Sequence, residues 1–119
     1  MIGVDIVSVK RIEDIYKKFG EVFLHKIFLE KEIEEINKIT NQKRKLEKIA
    51  GKFAAKEAVI KALKGTNMQF KNIEIISDEA GIPSCRIEGM KVEISISHER
   101  DFAIAVALSE SSLLSHKTI

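Results

Sequence analysis

The stretch GKFAAKEAVIKAL, residues 51–63, decides the fold that the sequence predicts. Extended back to residue 46, it places apolar side chains at steps of three and four, as one face of an α-helix requires. The apolar members of this stripe are Leu46, Ile49, Ala50, Phe53 and Ile60. Glu57 falls near the middle of the same stripe, where a core residue is expected. A carboxylate at this position needs a physical explanation.

Two explanations for Glu57 are open at this point. In the first, a nearby Arg or Lys pairs with a buried carboxylate, or the helix is rotated so that Glu57 lies at the edge of the stripe. In the second, Glu57 binds a divalent cation together with another acid. Asp5 is the candidate, because it is the only charge in the apolar segment IGVDIV, residues 2–7. Two carboxylates leave most coordination positions of magnesium to water and phosphate, so the pair favours a phosphate-bearing substrate.

Cations accompany these two acids in the sequence. Lys61 follows Glu57 by one turn and lies about 40° from it around the helix, within reach of a phosphate on the metal. There it would neutralise negative charge or protonate a leaving oxygen. Lys48 and Lys64 are interpreted as part of a solvated helix face. Further cations precede the helix or lie along its flank: Lys43, Arg44, Lys45, Lys52 and Lys56.

Length and composition predict one globular domain over 1–119, with 110–119 as a candidate flexible tail. Apolar residues make up 45% of the chain, and 20 basic residues against 18 acidic ones do not favour nucleic acid as a partner. One cysteine, Cys85, excludes an intramolecular disulfide. The amino terminus lacks a secretion signal, and no apolar run is long enough to span a bilayer. The sequence therefore predicts a soluble cytoplasmic protein that binds neither nucleic acid nor membrane.

The order of the predicted elements indicates an α+β fold, with a helical front and a strand-rich back. Residues 2–7 predict a strand, and Ser8 predicts the N-cap of a helix that Gly20 ends. One or two short helices over 21–39 precede the long helix, which is predicted over 44–64. In the strand-rich second half, the sequence predicts four strands joined by short connections as an antiparallel meander. They cover 72–77, 85–88, 91–97 and 102–109.

Four motifs of this chain resemble those of the bacterial holo-acyl-carrier-protein synthases, small phosphopantetheinyl transferases, in order and spacing. They are GVDIV, GKFAAKEAVIKAL, GIP and ISISHE, at 3–7, 51–63, 81–83 and 94–99. The resemblance covers the chain to about Ser109. It implies an antiparallel β-sheet packed around a long central helix, and a homotrimer with active sites between subunits. It also implies the transfer of 4′-phosphopantetheine from coenzyme A to a serine of apo acyl carrier protein, in fatty acid biosynthesis.

The resemblance further implies roles for individual residues. Asp5 and Glu57 resemble the magnesium ligands, and Lys61 resembles the residue that contacts the phosphates and acts as general acid. Coenzyme A contacts are implied for Lys43, Arg44, Lys52, Lys61, Gly81, Pro83, Ser97 and His98. Lys52 stands where many members have Arg, and Ile82 replaces the Lys common between Gly and Pro in this turn. Both departures put the corresponding contact in question.

The first predicted helix is basic, and acyl carrier proteins are acidic, so this helix predicts the docking site of the carrier. The residues predicted to bind this partner are Lys10, Arg11, Lys18 and Lys26. Among them, Arg11 resembles the carrier contact of the family. The additional Arg that many members carry is replaced here by Val22.

Other classes of function remain as alternatives, or are excluded. A serine hydrolase is excluded, because Ser97 and His98 are adjacent in a predicted strand and point to opposite faces. Zinc is unsupported, because His25 and His116 form no pattern with each other or with acids. An RNA-binding module would use the basic segment 40–45 but lacks aromatic residues for base stacking. A structural trimerisation domain, in which Glu57 is merely paired, is the second alternative.

Overall fold

The computed structural model describes residues 1–110, and the predicted tail lies outside the described residues except for Glu110. Four helices follow the first strand, and four strands follow the helices. The elements are β1 Ile2–Ser8, α1 Val9–Phe19, α2 Glu21–Ile27, α3 Glu30–Asn37, α4 Gln42–Ala62, a 3-10 turn at Phe70–Asn72, β2 Glu74–Ser77, β3 Pro83–Arg86, β4 Val92–Glu99 and β5 Phe102–Ser109. Within these residues, none of the helices combines the length and the apolar character that crossing a bilayer requires.

Side-chain caps set the starts of α1 and α4. The hydroxyl of Ser8 accepts a hydrogen bond from the Arg11 backbone N–H at 3.2 Å, as its predicted role as N-cap requires. Asn41 caps α4 in the same way, because its Oδ1 accepts from the Arg44 N–H at 3.0 Å. This cap starts α4 ahead of the predicted residue 44. Gly20 ends α1, as predicted.

The strands form two separate sheets, so the prediction of a single meander was wrong. β1, β5 and β4 form an antiparallel three-stranded sheet in that order, with Asp5 opposite Ala105. Within residues 1–110, β2 and β3 pair only with each other, as a hairpin. The first strand thus lies beside the last one. The pattern of apolar residues within a strand contains no information about such a long-range partner.

α4 lies at the centre of the molecule, as predicted, and packs on the inner face of the three-stranded sheet. The alanines of β5 on this face, Ala103, Ala105 and Ala107, are fully buried. Gly3 of β1 permits the closest approach, since a Cβ at this position would lie 1.9 Å from the carbonyl oxygen of Ala58. This contact places β1 directly against the part of α4 that carries Glu57.

Part of the stripe that was predicted to be buried lies instead on the more exposed side of α4. Phe53 and Ile60 are only half-buried, and Glu57 lies between them with intermediate exposure. The interior instead takes Lys52 and Lys56, whose exposed fractions are 2% and 0%. The prediction failed there because α4 is enclosed on several sides, and long lysine stems cover apolar surface as well as aliphatic residues do.

The Lys56 ammonium group joins four segments of the interior. The carbonyl oxygens of Ile27, Phe70 and Ile73 accept its hydrogen bonds at 3.0, 2.9 and 2.7 Å. Glu32 of α3, also fully buried, pairs with it at 2.7 Å. Burial lowers the pKa of Lys56, and the charge of Glu32 opposes that change. These contacts fix the rotation of α4 about its axis.

The face of the three-stranded sheet that points away from α4 is apolar and exposed over β1 and β5, whereas β4 contributes polar side chains such as Ser95 and Glu99 to it. We call it the outer sheet face. Its large apolar side chains are Ile2, Val4, Ile6, Phe102, Ile104, Val106 and Leu108. Soluble monomers seldom expose a continuous apolar surface of this kind, so the face is a candidate interface.

Candidate active site

β1 and α4 bring two carboxylates and a lysine together at the open side of α4. Asp5 projects toward the helix from the same face of β1 as Gly3. The Lys61 ammonium lies 2.9 Å from Asp5 Oδ1 and donates a second hydrogen bond to the Val4 carbonyl at 3.0 Å. Glu57 is close enough to both side chains for their charges to act on its pKa. The structure therefore assembles Asp5, Glu57 and Lys61 in one cluster.

The charge of Glu57 is not balanced by a cation of its own. Burial raises the pKa of Glu57, and the Asp5 carboxylate raises it further, against the charges of Lys61 and Arg11. In the part of the chain that the structure describes, Glu57 forms no salt bridge, because Lys61 pairs with Asp5 instead. Two carboxylates thus share one lysine. Carboxylate oxygens are the donors that magnesium prefers, so this pair fits a divalent cation.

Over residues 1–110, no group of three or more His, Cys, Asp or Glu side chains is arranged to bind a metal. The cluster therefore offers two protein carboxylates and leaves the other positions of a bound cation to water or to substrate oxygens. Magnesium is commonly held in this way at phosphate-transfer sites.

A cavity of about 180 Å³ lies between α4, the β2–β3 hairpin and β4. Four residues predicted to contact coenzyme A line it: Lys52, Gly81, Pro83 and His98. The His98 ring lies over α4 with its Nε2 2.8 Å from the Glu47 carbonyl oxygen. Gly51 leaves room for the ring, since a Cβ there would come within 3.0 Å of Nε2. The fold thus joins residues that are distant in the sequence into one concave site.

Glu35 of α3 binds two lysines at the wall of this cavity. Its Oε1 lies 2.8 Å from the Lys48 ammonium, and its Oε2 lies 3.4 Å from that of Lys52. Ser77 donates its N–H to Oε2, and its hydroxyl accepts from Lys48 at 2.9 Å. The interpretation of Lys48 as part of a solvated face was wrong, because its side chain is only 28% exposed and is paired.

The carboxyl group of Glu35 is held in its charged form by these lysines. Burial by itself would raise its pKa, but the Lys48 ammonium and the charge of Lys52 outweigh burial and lower it. Lys52, which also donates to the Ile75 carbonyl, has its own pKa lowered by burial. Glu35 itself lines the neighbouring cavity of about 580 Å³, so an anion supplied by the protein lies behind the two lysines of this wall.

Three further residues predicted to contact coenzyme A lie apart from this cavity or at its margins. Ser97 is on the opposite side of β4 from His98, in register with Ile104 of the outer sheet face. Lys43 and Arg44 are exposed at the start of α4 and line two different neighbouring cavities. Within one chain, the fold does not bring these three side chains together.

A model of the 4′-phosphopantetheinyl transferase superfamily matches residues 1–107. The chain belongs to this superfamily. Two relatives are named holo-[acyl-carrier-protein] synthase. That of Thermodesulfovibrio yellowstonii is 47% identical over 107 residues, covering 87% of this chain and 92% of the relative. That of Halothermothrix orenii is 43% identical over 123 residues, covering 92% and 95%.

Solved structures agree with this assignment. The crystal structure of Helicobacter pylori holo-[acyl-carrier-protein] synthase in complex with coenzyme A has a TM-score of 0.80 and 36% identity to this chain. The match covers 92% of this chain and 99% of that one. The Bacillus anthracis synthase, also solved in complex with coenzyme A, has a TM-score of 0.80 and 35% identity. The resemblance drawn from the four motifs is confirmed, as is the α+β fold of this superfamily member.

The residues predicted to bind a carrier protein are at the surface of this superfamily member. They are Lys10, Arg11, Lys18 and Lys26. Lys10 is partly neutralised by Glu13 at 3.4 Å and Asp14 at 3.1 Å. Arg11 forms no salt bridge with any residue in 1–110, and its charge acts on Glu57. Arg11 is thus both free to meet a partner and adjacent to the carboxylate pair.

Glu32 and Glu35, the two acids that neutralise the buried lysines of α4, were not predicted from the sequence. They stand three residues apart, on one face of α3. Both are beside the apolar residues Ile33 and Ile36, which are buried. This spacing is the signal in the sequence that would have placed them toward the interior.

Proposed function

We propose that this chain is a holo-[acyl-carrier-protein] synthase. It transfers the 4′-phosphopantetheine group of coenzyme A to a serine of apo acyl carrier protein and releases adenosine 3′,5′-bisphosphate. The observation that carries the proposal is the Asp5–Glu57–Lys61 cluster, in a chain that belongs to the superfamily over nearly its whole length. The cytoplasmic location predicted from the sequence stays a prediction.

Asp5 and Glu57 are the residues that would hold a magnesium ion. Their mutual repulsion, which contributes to the raised pKa of Glu57, would be relieved by a bound dication. When bound, the ion would supply neutralisation of the diphosphate of coenzyme A. The two carboxylates would then also determine where the diphosphate lies relative to Lys61.

Lys61 acts on the leaving group of the reaction. Its ammonium is held by Asp5 and by the Val4 carbonyl, yet half of its side chain remains exposed to an incoming phosphate. The serine oxygen of the carrier loses its proton to solvent and forms a bond to the phosphorus atom, and the diphosphate P–O bond breaks. Lys61 then stabilises the charge on the departing bisphosphate and delivers a proton to it.

The cavity between α4, the β2–β3 hairpin and β4 receives the nucleotide end of coenzyme A. Lys52 contributes a fixed positive charge that attracts phosphate oxygens, His98 forms part of the opposite wall, and Pro83 and Ile96 offer apolar contact to a base. Lys43 and Arg44 add positive charge near the entrance. A contact of Ser97 with the same ligand would have to come from a neighbouring subunit, because Ser97 faces away from the cavity of its own chain.

The assembly is a homotrimer that uses the outer sheet face. Burial of that apolar face against other copies supplies the free energy of association. The carrier protein docks on the basic residues of α1, with Arg11 nearest to the acid pair.

The test is incubation of the purified protein with coenzyme A, magnesium and an apo acyl carrier protein. Intact-mass spectrometry should show the carrier gaining one phosphopantetheine group, and a chelator should prevent the gain. The alternatives of an RNA-binding module and a purely structural trimer both predict a carrier of unchanged mass. An unmodified carrier in the presence of magnesium would overturn the proposal.

A further inference from the structure

The wall of the nucleotide cavity contains two lysines whose charge is balanced by a carboxylate from a different element. Lys48 and Lys52 come from α4, and Glu35 comes from α3. The second wall of the cavity contributes His98. Without Glu35, neither lysine would have a salt bridge within residues 1–110, and their positive charges would be available to attract a phosphate dianion.

Lys48 has space to change partner. It lines the nucleotide cavity and also a neighbouring cavity of about 580 Å³, so it forms part of the wall between the two. Its side chain is partly exposed, whereas Lys52 is held in the interior by the Ile75 carbonyl. Lys48 is therefore the lysine that can leave Glu35 for a ligand, while Lys52 adds a fixed positive charge.

We propose that Glu35 is a specificity-determining residue. Its carboxylate competes with the 3′-phosphate of coenzyme A for Lys48 and Lys52, and so weakens the binding of nucleotides that carry this phosphate. The inference rests on the proposed function, because it takes coenzyme A to be the ligand of the cavity, with its 3′-phosphate on the side of Lys48 and Lys52. It predicts that the Kd values for coenzyme A and dephospho-coenzyme A differ less in this protein than in a variant that lacks the Glu35 carboxylate.

Substitution of Glu35 by Gln tests the competition directly. Glutamine keeps an oxygen to accept from the Ser77 N–H but removes the negative charge. Titration calorimetry should show the Kd for coenzyme A falling about fivefold to tenfold, and the Kd for dephospho-coenzyme A changing less than about twofold. Glu34→Gln is the matched control, since Glu34 is the exposed neighbour on the same helix and pairs with neither lysine.

Lys48→Met provides an independent variant if Glu35→Gln does not fold. It should raise the Kd for coenzyme A while leaving the Kd for dephospho-coenzyme A nearly unchanged, because only the first ligand carries the 3′-phosphate. The inference is overturned if Glu35→Gln changes both Kd values equally or neither, with coenzyme A still bound. Failure of the unmodified protein to bind either ligand would instead reject the proposed function, and this inference with it.

Discussion

Lys56 and Glu57 are neighbours in the chain, yet their charges are balanced in different ways. Lys56 has four oxygen partners within the protein, whereas Glu57 has no salt bridge in the described residues and lies beside a second carboxylate. A partly buried charge without a partner lowers the stability of the folded protein. Such a charge is therefore found mainly where a ligand compensates it. The difference separates a residue that holds the fold together from one that is available for chemistry.

Substitution of Glu57 by Gln should abolish magnesium-dependent transfer and leave the fold intact. An amide is a poor ligand for magnesium, and the removed carboxylate no longer repels Asp5. We expect the initial rate to fall by at least about 100-fold, with a thermal midpoint equal to or above that of the unmodified protein. Rates over a range of magnesium concentrations, with Glu34→Gln as control, check this. Full activity of Glu57→Gln, or of Asp5→Asn, would contradict the proposed metal site.

Arg11 and Lys61 should differ in the step that they affect. Arg11→Ala should raise the KM for carrier protein, change kcat little and flatten the loss of activity with added salt, because Arg11 is an exposed docking charge. Lys61→Ala should mainly lower kcat, because Lys61 acts on the reacting phosphates. Steady-state kinetics at two ionic strengths measure both effects.

Lys64→Ala is the matched control for Lys61, since Lys64 is exposed shortly after the end of α4 and contacts neither acid. Equal losses of kcat in the Arg11 and Lys61 variants, with the same response to salt, would move Arg11 into the catalytic group. Its charge already acts on the pKa of Glu57, so the kinetics decide between docking and chemistry.

At the scale of elements, α4 is held from two sides. Gly3 of β1 lies against Ala58 on one side, and the Glu32–Lys56 pair holds the helix on another. Since consecutive helical residues are about 100° apart, a fixed Lys56 also fixes the direction of Glu57 toward β1. The position of the proposed metal site therefore depends on an ion pair that takes no part in it.

Lys56→Met should destabilise the protein by about 3–5 kcal/mol, because Glu32 would remain buried without its cation. Replacing both members, Lys56→Met with Glu32→Gln, should recover part of the loss. Chemical denaturation measures these changes, and Lys64→Met on the exposed surface should change stability by less than about 0.5 kcal/mol. Unchanged stability of Lys56→Met would show that the pair does not hold α4.

At the scale of the whole molecule, the outer sheet face explains why β1 and β5 are apolar on both sides. One side meets α4, and the other exposes side chains such as Ile6 and Ile104. A strand that is apolar on both faces is normally covered on both faces. In the proposed assembly, other copies of the chain provide that second cover.

Sedimentation at low micromolar concentration should show a trimer, and Ile6→Glu should dissociate it, because a charge would have to be buried in the interface. Ile82→Glu is a control for the oligomeric state alone, since Ile82 is an exposed apolar residue away from the outer sheet face but lies in the turn predicted to contact coenzyme A. Transfer activity should fall together with the trimer if the active site is shared. A fully active monomer would exclude the shared site.

Local features of this protein were determined by the sequence itself. The first strand, the Ser8 cap and the central helix were predictable, because residue type and periodicity act over a few neighbouring positions. The pairing of Asp5 with Glu57 as candidate ligands was also predictable, because each is an isolated charge in an apolar element.

Only the tertiary structure decided which residues and elements that are distant in the sequence become neighbours in the fold. It placed β1 beside β5, split the expected meander into two sheets and turned Lys52 and Lys56 into the interior. The pairing of Glu35 with Lys48 and Lys52 could not be predicted for the same reason. Hydrophobic periodicity identifies the buried face of a helix that has a single buried face, but α4 is buried on several faces. Which lysine is solvated and which is buried then depends on acids and carbonyl groups contributed by other elements.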